Sequence, residues 1–105
     1  MRPPPVFSDK ESAILIAIYD NPNIVYSTYS LFPALNPTIP ADAIALAKIL
    51  AATEELISRG LVRGERLKSG EGIYFSELKL TYKGEQAAIH ERKRKKGKED
   101  FLGGA

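Results

Sequence analysis

Leu56-Ile57-Ser58-Arg59-Gly60-Leu61-Val62 opens the stretch that decides the fold, and Leu80-Thr81-Tyr82-Lys83-Gly84 closes it. The first segment reads as the end of a helix. From Ala41 to Arg59 no glycine or proline interrupts a run dominated by strong helix formers, and Gly60 then supplies a left-handed cap. Leu61 to Leu67 reads as a strand, Lys68-Ser69-Gly70-Glu71-Gly72 as a hairpin turn, and Ile73 to Leu80 as the returning strand. Alternation in that second strand breaks. Ile73 and Phe75 fall on one face and Leu78 and Leu80 on the other, which predicts a bulge or strong twist near Ser76. Thr81 caps a last helix that begins at Tyr82 and has Ile89 as its final strong core residue.

Upstream, Ser8 and Glu11 form a capping box, so a helix starts at Asp9 and runs to about Tyr19. Its run Ala13-Ile14-Leu15-Ile16-Ala17-Ile18-Tyr19 is apolar around the whole circumference at ~100° per residue. The helix is therefore buried on more than one side, either by its own chain or by a second subunit. Ile14, Ile16 and Ile18 are the candidate interface residues for the second case. Asp20-Asn21-Pro22-Asn23 is a turn, Ile24-Val25-Tyr26 suits a short strand, and Ser27 caps a short helix that Pro33 ends. The proline-rich connection that follows places Pro40 in the first turn of the long helix. On that helix Ile44, Ala47, Leu50, Ala51, Leu56 and Ile57 lie near one face, with Asp42, Lys48, Glu54, Glu55 and Ser58 mostly off it.

The 105 residues, 44% apolar and 27% charged, fit one globular domain. Residues 1–7, with three consecutive prolines, read as an extended arm, residues 8–90 as the domain, and residues 91–105 as a basic tail that frays. Cysteine is absent, which removes thiol catalysis, Cys-based zinc sites and disulfides and agrees with a cytoplasmic location. No stretch is apolar for long enough to span a membrane. The net charge of +2 is unevenly placed. Through Ser58, acidic residues outnumber Arg2, Lys10 and Lys48; beyond it basic residues prevail, so a polyanion is expected to dock on the second half.

An enzyme is not expected. His90, the one histidine, sits beside Glu91 at the edge of a charged run where nothing desolvates it. Glu54 and Glu55 diverge by ~100° on a helix and cannot act as a paired acid and base. Gly70-x-Gly72 leads into a strand, whereas a phosphate-cradling loop needs a helix N-terminus behind it. No cofactor or metal is implied.

The order expected from these readings is helix, short strand, short helix, long helix, β-hairpin, helix, an α+β and mostly helical arrangement. With Arg59-Gly60-Leu61-Val62 leading into the hairpin and Leu80-Thr81-Tyr82-Lys83-Gly84 closing it, the chain resembles the winged helix-turn-helix DNA-binding domains of PadR-like and MarR-like transcription regulators. The resemblance covers about four fifths of the chain. It implies a dimeric regulator of transcription that places its long helix in the major groove of duplex DNA and its wing along the backbone. The candidate DNA contacts are then Thr38, Lys48, Arg59, Arg63, Arg66, Lys68 and Lys79. The long helix is poor in base-reading side chains, Lys48 being the main one, and Asp42 is unfavourable beside phosphate. A protein-interaction module on the same scaffold is the alternative. A homodimer would use the first helix and the alanine-rich long helix.

Overall fold

The computed structural model describes residues 7–36, 42–70 and 72–103, with side chains described through Arg94. Four helices and a two-stranded antiparallel hairpin follow in the order α1 (Asp9–Asp20), α2 (Thr28–Leu35), α3 (Ala43–Ser58), β1 (Val62–Ser69), β2 (Gly72–Leu80) and α4 (Tyr82–Gly103). The fold class is α+β.

Local chemistry fixes most of the boundaries. Ser8 Oγ accepts from Glu11 N and Glu11 Oε1 accepts from Ser8 N, the expected capping box of α1. Ser27 and Ser30 form a second box at the start of α2. Asp42 Oδ1 accepts from Ala45 N at 2.7 Å and caps α3, so this helix begins at Ala43; Pro40 lies outside the described residues. At its other end Gly60 takes φ +76°, a conformation that favours glycine.

The core is centred on α1. Ile14, Leu15 and Ile18 are buried against α2, α3, α4 and β2, joined by Leu31, Phe32, Ile49, Leu56, Leu61, Val62, Phe75 and Leu78. The all-round apolar helix is thus wrapped by its own chain. Leu78, Phe75 and Leu80 contribute to one core because the bulge restores their common face. Arg63 pairs with Lys79 and Glu65 with Ser76, so β2 carries one surplus residue between those pairs. The surplus region includes Glu77, whose φ is +54°.

Four expectations need correction. Ile24-Val25-Tyr26 is not a strand; only Tyr26 pairs, as a single antiparallel bridge to Leu78 with Leu78 N donating to Tyr26 O at 2.9 Å. The Ser27 box turns the chain into α2, and the Thr28 hydroxyl takes the next free donor of β2, Phe75 N at 3.3 Å. Pro33 does not end α2 but sits inside it, where it forfeits the bond its own N–H would make and crowds the Tyr29 carbonyl, and the helix closes with Asn36 N donating to Phe32 O. The apolar face of α3 is also rotated. Ile49, Thr53 and Leu56 are buried, whereas Ile44, Ala47 and Ala51 are exposed. Lastly, the basic segment read as a fraying tail from residue 91 is part of α4, which continues through Gly103, consistent with the high helix propensity of its Lys, Arg and Glu run.

The closing Leu-Thr-x-x-Gly segment has a defined physical role. Thr81 Oγ1 accepts from Gly84 N at 3.0 Å and donates to Gly60 O at 2.7 Å, while Thr81 N donates to Leu61 O at 3.0 Å. One residue therefore caps α4 and ties it to the start of the hairpin. A Cβ on Gly84 would lie 1.8 Å from Leu61 O, so only glycine lets the helix come this close.

Candidate nucleic-acid interface

The hairpin carries the second-half charge out from the core. Arg63, Arg66, Lys68 and Lys79 are all exposed, and none has an ion-pair partner among the described residues. Their placement follows from the ladder, because directly opposed residues share a face and successive residues alternate. Arg63 lies opposite Lys79, and both share one face with Glu65 and Leu67. Arg66 and Lys68 lie on the other face, opposite Phe75 and Ile73. The spacing of these cations suggests that several could reach one phosphate track from the same side of the hairpin; the register instead divides them between the two faces of the ribbon. Like charges directly opposed cost stability, so the Arg63 and Lys79 pair is a local penalty that the hairpin tolerates.

The other expected contacts are dispersed. Arg59 closes α3, with Nη1 3.5 Å from Glu11 Oε2 and its guanidinium 4.5 Å over the Phe7 ring. It fastens the start of α1 to the end of α3 and is not grouped with the hairpin cations. Lys48 is exposed on α3, and Thr38 lies outside the described residues. Ile14 and Ile18 are buried within the chain and offer no surface to a partner; Ile16 is half-buried. In the basic segment after α4's first turns, Arg92 pairs with Asp20 of α1 and Arg94 makes a two-pronged pair with Glu91, both bonds at 3.1 Å.

Glu91 is buried between α4 and α1. Burial alone raises its carboxyl pKa, but the Arg94 fork and charge, with smaller contributions from Ser12 and His90, hold it below the ordinary carboxylate value. The buried Ser12 hydroxyl makes no hydrogen bond of good geometry among the described residues.

The outward face of α3 is the feature that sequence reading missed. Ile44 is 71% exposed, followed along the same side by Ala47, Ala51, Glu54, Glu55 and Ser58. Centring a helical wheel on Ile49, Thr53 and Leu56 turns these residues to the opposite side at 100° per residue. Alanine concealed this, because it suits either side of a helix. Beside this face, a cavity of about 560 Å³ opens between α3, the start of α2 and β2, lined by Tyr29, Leu46, Leu50, Ile73 and Tyr74 among others. The Tyr29 and Tyr74 rings meet there with centroids 5.2 Å apart.

Among the described residues no helix is long and apolar enough to cross a membrane, and no group of three or more His, Cys, Asp or Glu side chains is placed to hold a metal ion. No family model, curated protein or solved structure matches the chain.

Proposed function

We propose that the chain is a winged-helix protein that binds duplex DNA and regulates transcription in the cytoplasm, gripping the phosphate backbone through its hairpin. The reading rests on the resemblance and on one observation above all. Arg63 stands directly opposite Lys79, with Arg66 and Lys68 on the reverse face, and none of the four is neutralised among the described residues. A hairpin that tolerates this repulsion is suited to a polyanion. The Tyr26 bridge to the outer edge of β2 supports the winged-helix part, since it sets the segment between α1 and α2 beside the hairpin. Sequence discrimination is weak on this reading, because the outward side of α3 is poor in base-reading side chains. The role is binding and not catalysis.

The test is fluorescence anisotropy of a mixed-sequence duplex titrated at two salt concentrations. Four phosphate contacts give a slope of log affinity against log salt of about −3.6, a loss on the order of a hundredfold between about 50 and 200 mM salt. Replacing Arg66 and Lys68 by alanine, or Arg63 and Lys79, should each remove about half of that slope. Absent or salt-insensitive binding at the lower salt refutes the proposal.

A second reading, a protein-interaction module, is favoured by the exposed Ile44 and the acidic end of the α3 face. Both features suit a protein surface better than phosphate.

A further inference from the structure

The outward face of α3 is unsuited to DNA but complementary to itself. Along it the order is Ile44, Ala47, Lys48, Ala51, Glu54, Glu55, Ser58, all exposed. The charges separate along the axis: Lys48 lies toward the N-terminal half, and Glu54 and Glu55 toward the C-terminal half. Taking the direction opposite the buried Ile49, Thr53 and Leu56 as the centre, Lys48 and Glu55 lie on the same flank of the face. Glu54 lies on the other flank.

A twofold axis perpendicular to two antiparallel helices keeps each flank on its own side while reversing the sequence direction. An axis near Ala51 therefore brings Lys48 of one copy opposite Glu55 of the other, twice over. The same operation places Ala51 against Ala51, where the absence of bulk allows close approach, and Ile44 over the small Ser58. This is the self-complementarity that an isologous interface requires. Parallel pairing would instead swap the flanks, setting Lys48 and Glu55 of one copy on the opposite side of the contact from those of the other, so that no reciprocal Lys48 to Glu55 pair could form.

We propose that this face of α3 seats the α3 of a second copy of the chain, antiparallel about an axis near Ala51, with reciprocal Lys48 to Glu55 pairing. The apolar middle of the face supplies the attraction and the charges set the register. None of the hairpin cations belongs to this face, so the inference does not rest on nucleic-acid binding. It does remove α3 from any groove.

The full chain, without nucleic acid, is followed by sedimentation across a hundredfold concentration range. The expected result is a mass rising from 11.6 kDa toward its double. Lys48→Glu alone and Glu55→Lys alone should each weaken self-association by about tenfold or more, and an equimolar mixture of the two variants should associate as a heterodimer. Both positions are exposed, and far-UV circular dichroism confirms that each variant is folded. Because the chain has no cysteine, Ala51→Cys gives a second readout: mild oxidation should yield a disulfide-linked dimer, whereas Ser69→Cys on the hairpin should not. Four outcomes overturn the proposal: a monomer at every concentration, association that appears only when duplex DNA is added, a dimer indifferent to both charge reversals, or variants that remain apart when mixed.

Discussion

Replacing Gly84 by alanine tests whether α4 rests directly on the base of the hairpin. The added Cβ would meet Leu61 O at 1.8 Å and Leu61 C at 2.9 Å, both backbone atoms that no rotamer change can move aside. Relief requires a shift of more than about 1 Å between α4 and β1, given ordinary contact distances of ~3.5 Å. That shift would strain the bonds that Thr81 makes to the Leu61 carbonyl, from its N–H at 3.0 Å and from its hydroxyl at 3.2 Å. Overpacking costs about 1–3 kcal/mol, and each weakened hydrogen bond adds about 1 kcal/mol. The higher helix propensity of alanine returns only about 1 kcal/mol, so the net destabilisation is about 2–4 kcal/mol. For a domain of this size that lowers Tm by roughly 10–30 °C. Thermal unfolding followed by circular dichroism reads the shift directly. Gly70→Ala is the control, because nothing lies within 4 Å of the Cβ it would add, and its change should stay within about 0.5 kcal/mol. If Gly84→Ala melts at or above the native temperature, the docking of α4 over Leu61 is wrong.

Two further outcomes are expected. Glu91 has its carboxyl pKa lowered on folding, so its contribution is present above the ordinary carboxylate range and disappears as the pH falls through the folded value. Urea unfolding between about pH 3 and 7 should therefore show a shallower loss of stability on acidification in Glu91→Gln than in the native chain; an unchanged acid limb would count against the Arg94 fork. Glu77 holds φ +54° on an exposed strand position, a conformation that costs a residue with a side chain about 1–2 kcal/mol. Glu77→Gly should hence stabilise by up to about 1 kcal/mol after its own entropy cost, measured by chemical denaturation, and a clear loss would refute the bulge geometry.

The features legible in the sequence are those governed by local chemistry. Ser8 with Glu11, Thr81 with Gly84 and the broken alternation around Ser76 each name a short-range arrangement, and each is found in the structure. Features decided by competition between distant segments were not legible. Tyr26 has strand propensity, but β2 offers its edge to Thr28 as well, and the serine box after Tyr26 leaves room for a single bridge. The direction of α3 depended on which of its many alanines faced inward, and tertiary packing chose Ile49, Thr53 and Leu56. Of the candidate site, the hairpin cations were readable as a group. Their division between two faces follows only once the register is known, and the engagement of Arg59 with Glu11 and Phe7 needed the fold.

The extra residue in β2 has a consequence for how the hairpin can change its aim. Removing Glu77 would leave every partner from Val62 with Leu80 to Ser69 with Gly72 unaltered, since the alternation of Phe75, Ser76, Leu78 and Lys79 is already regular without it. Base and tip thus behave as two separately indexed segments joined by a swivel. A single-codon deletion or insertion there would redirect the tip while disturbing neither segment's pairing.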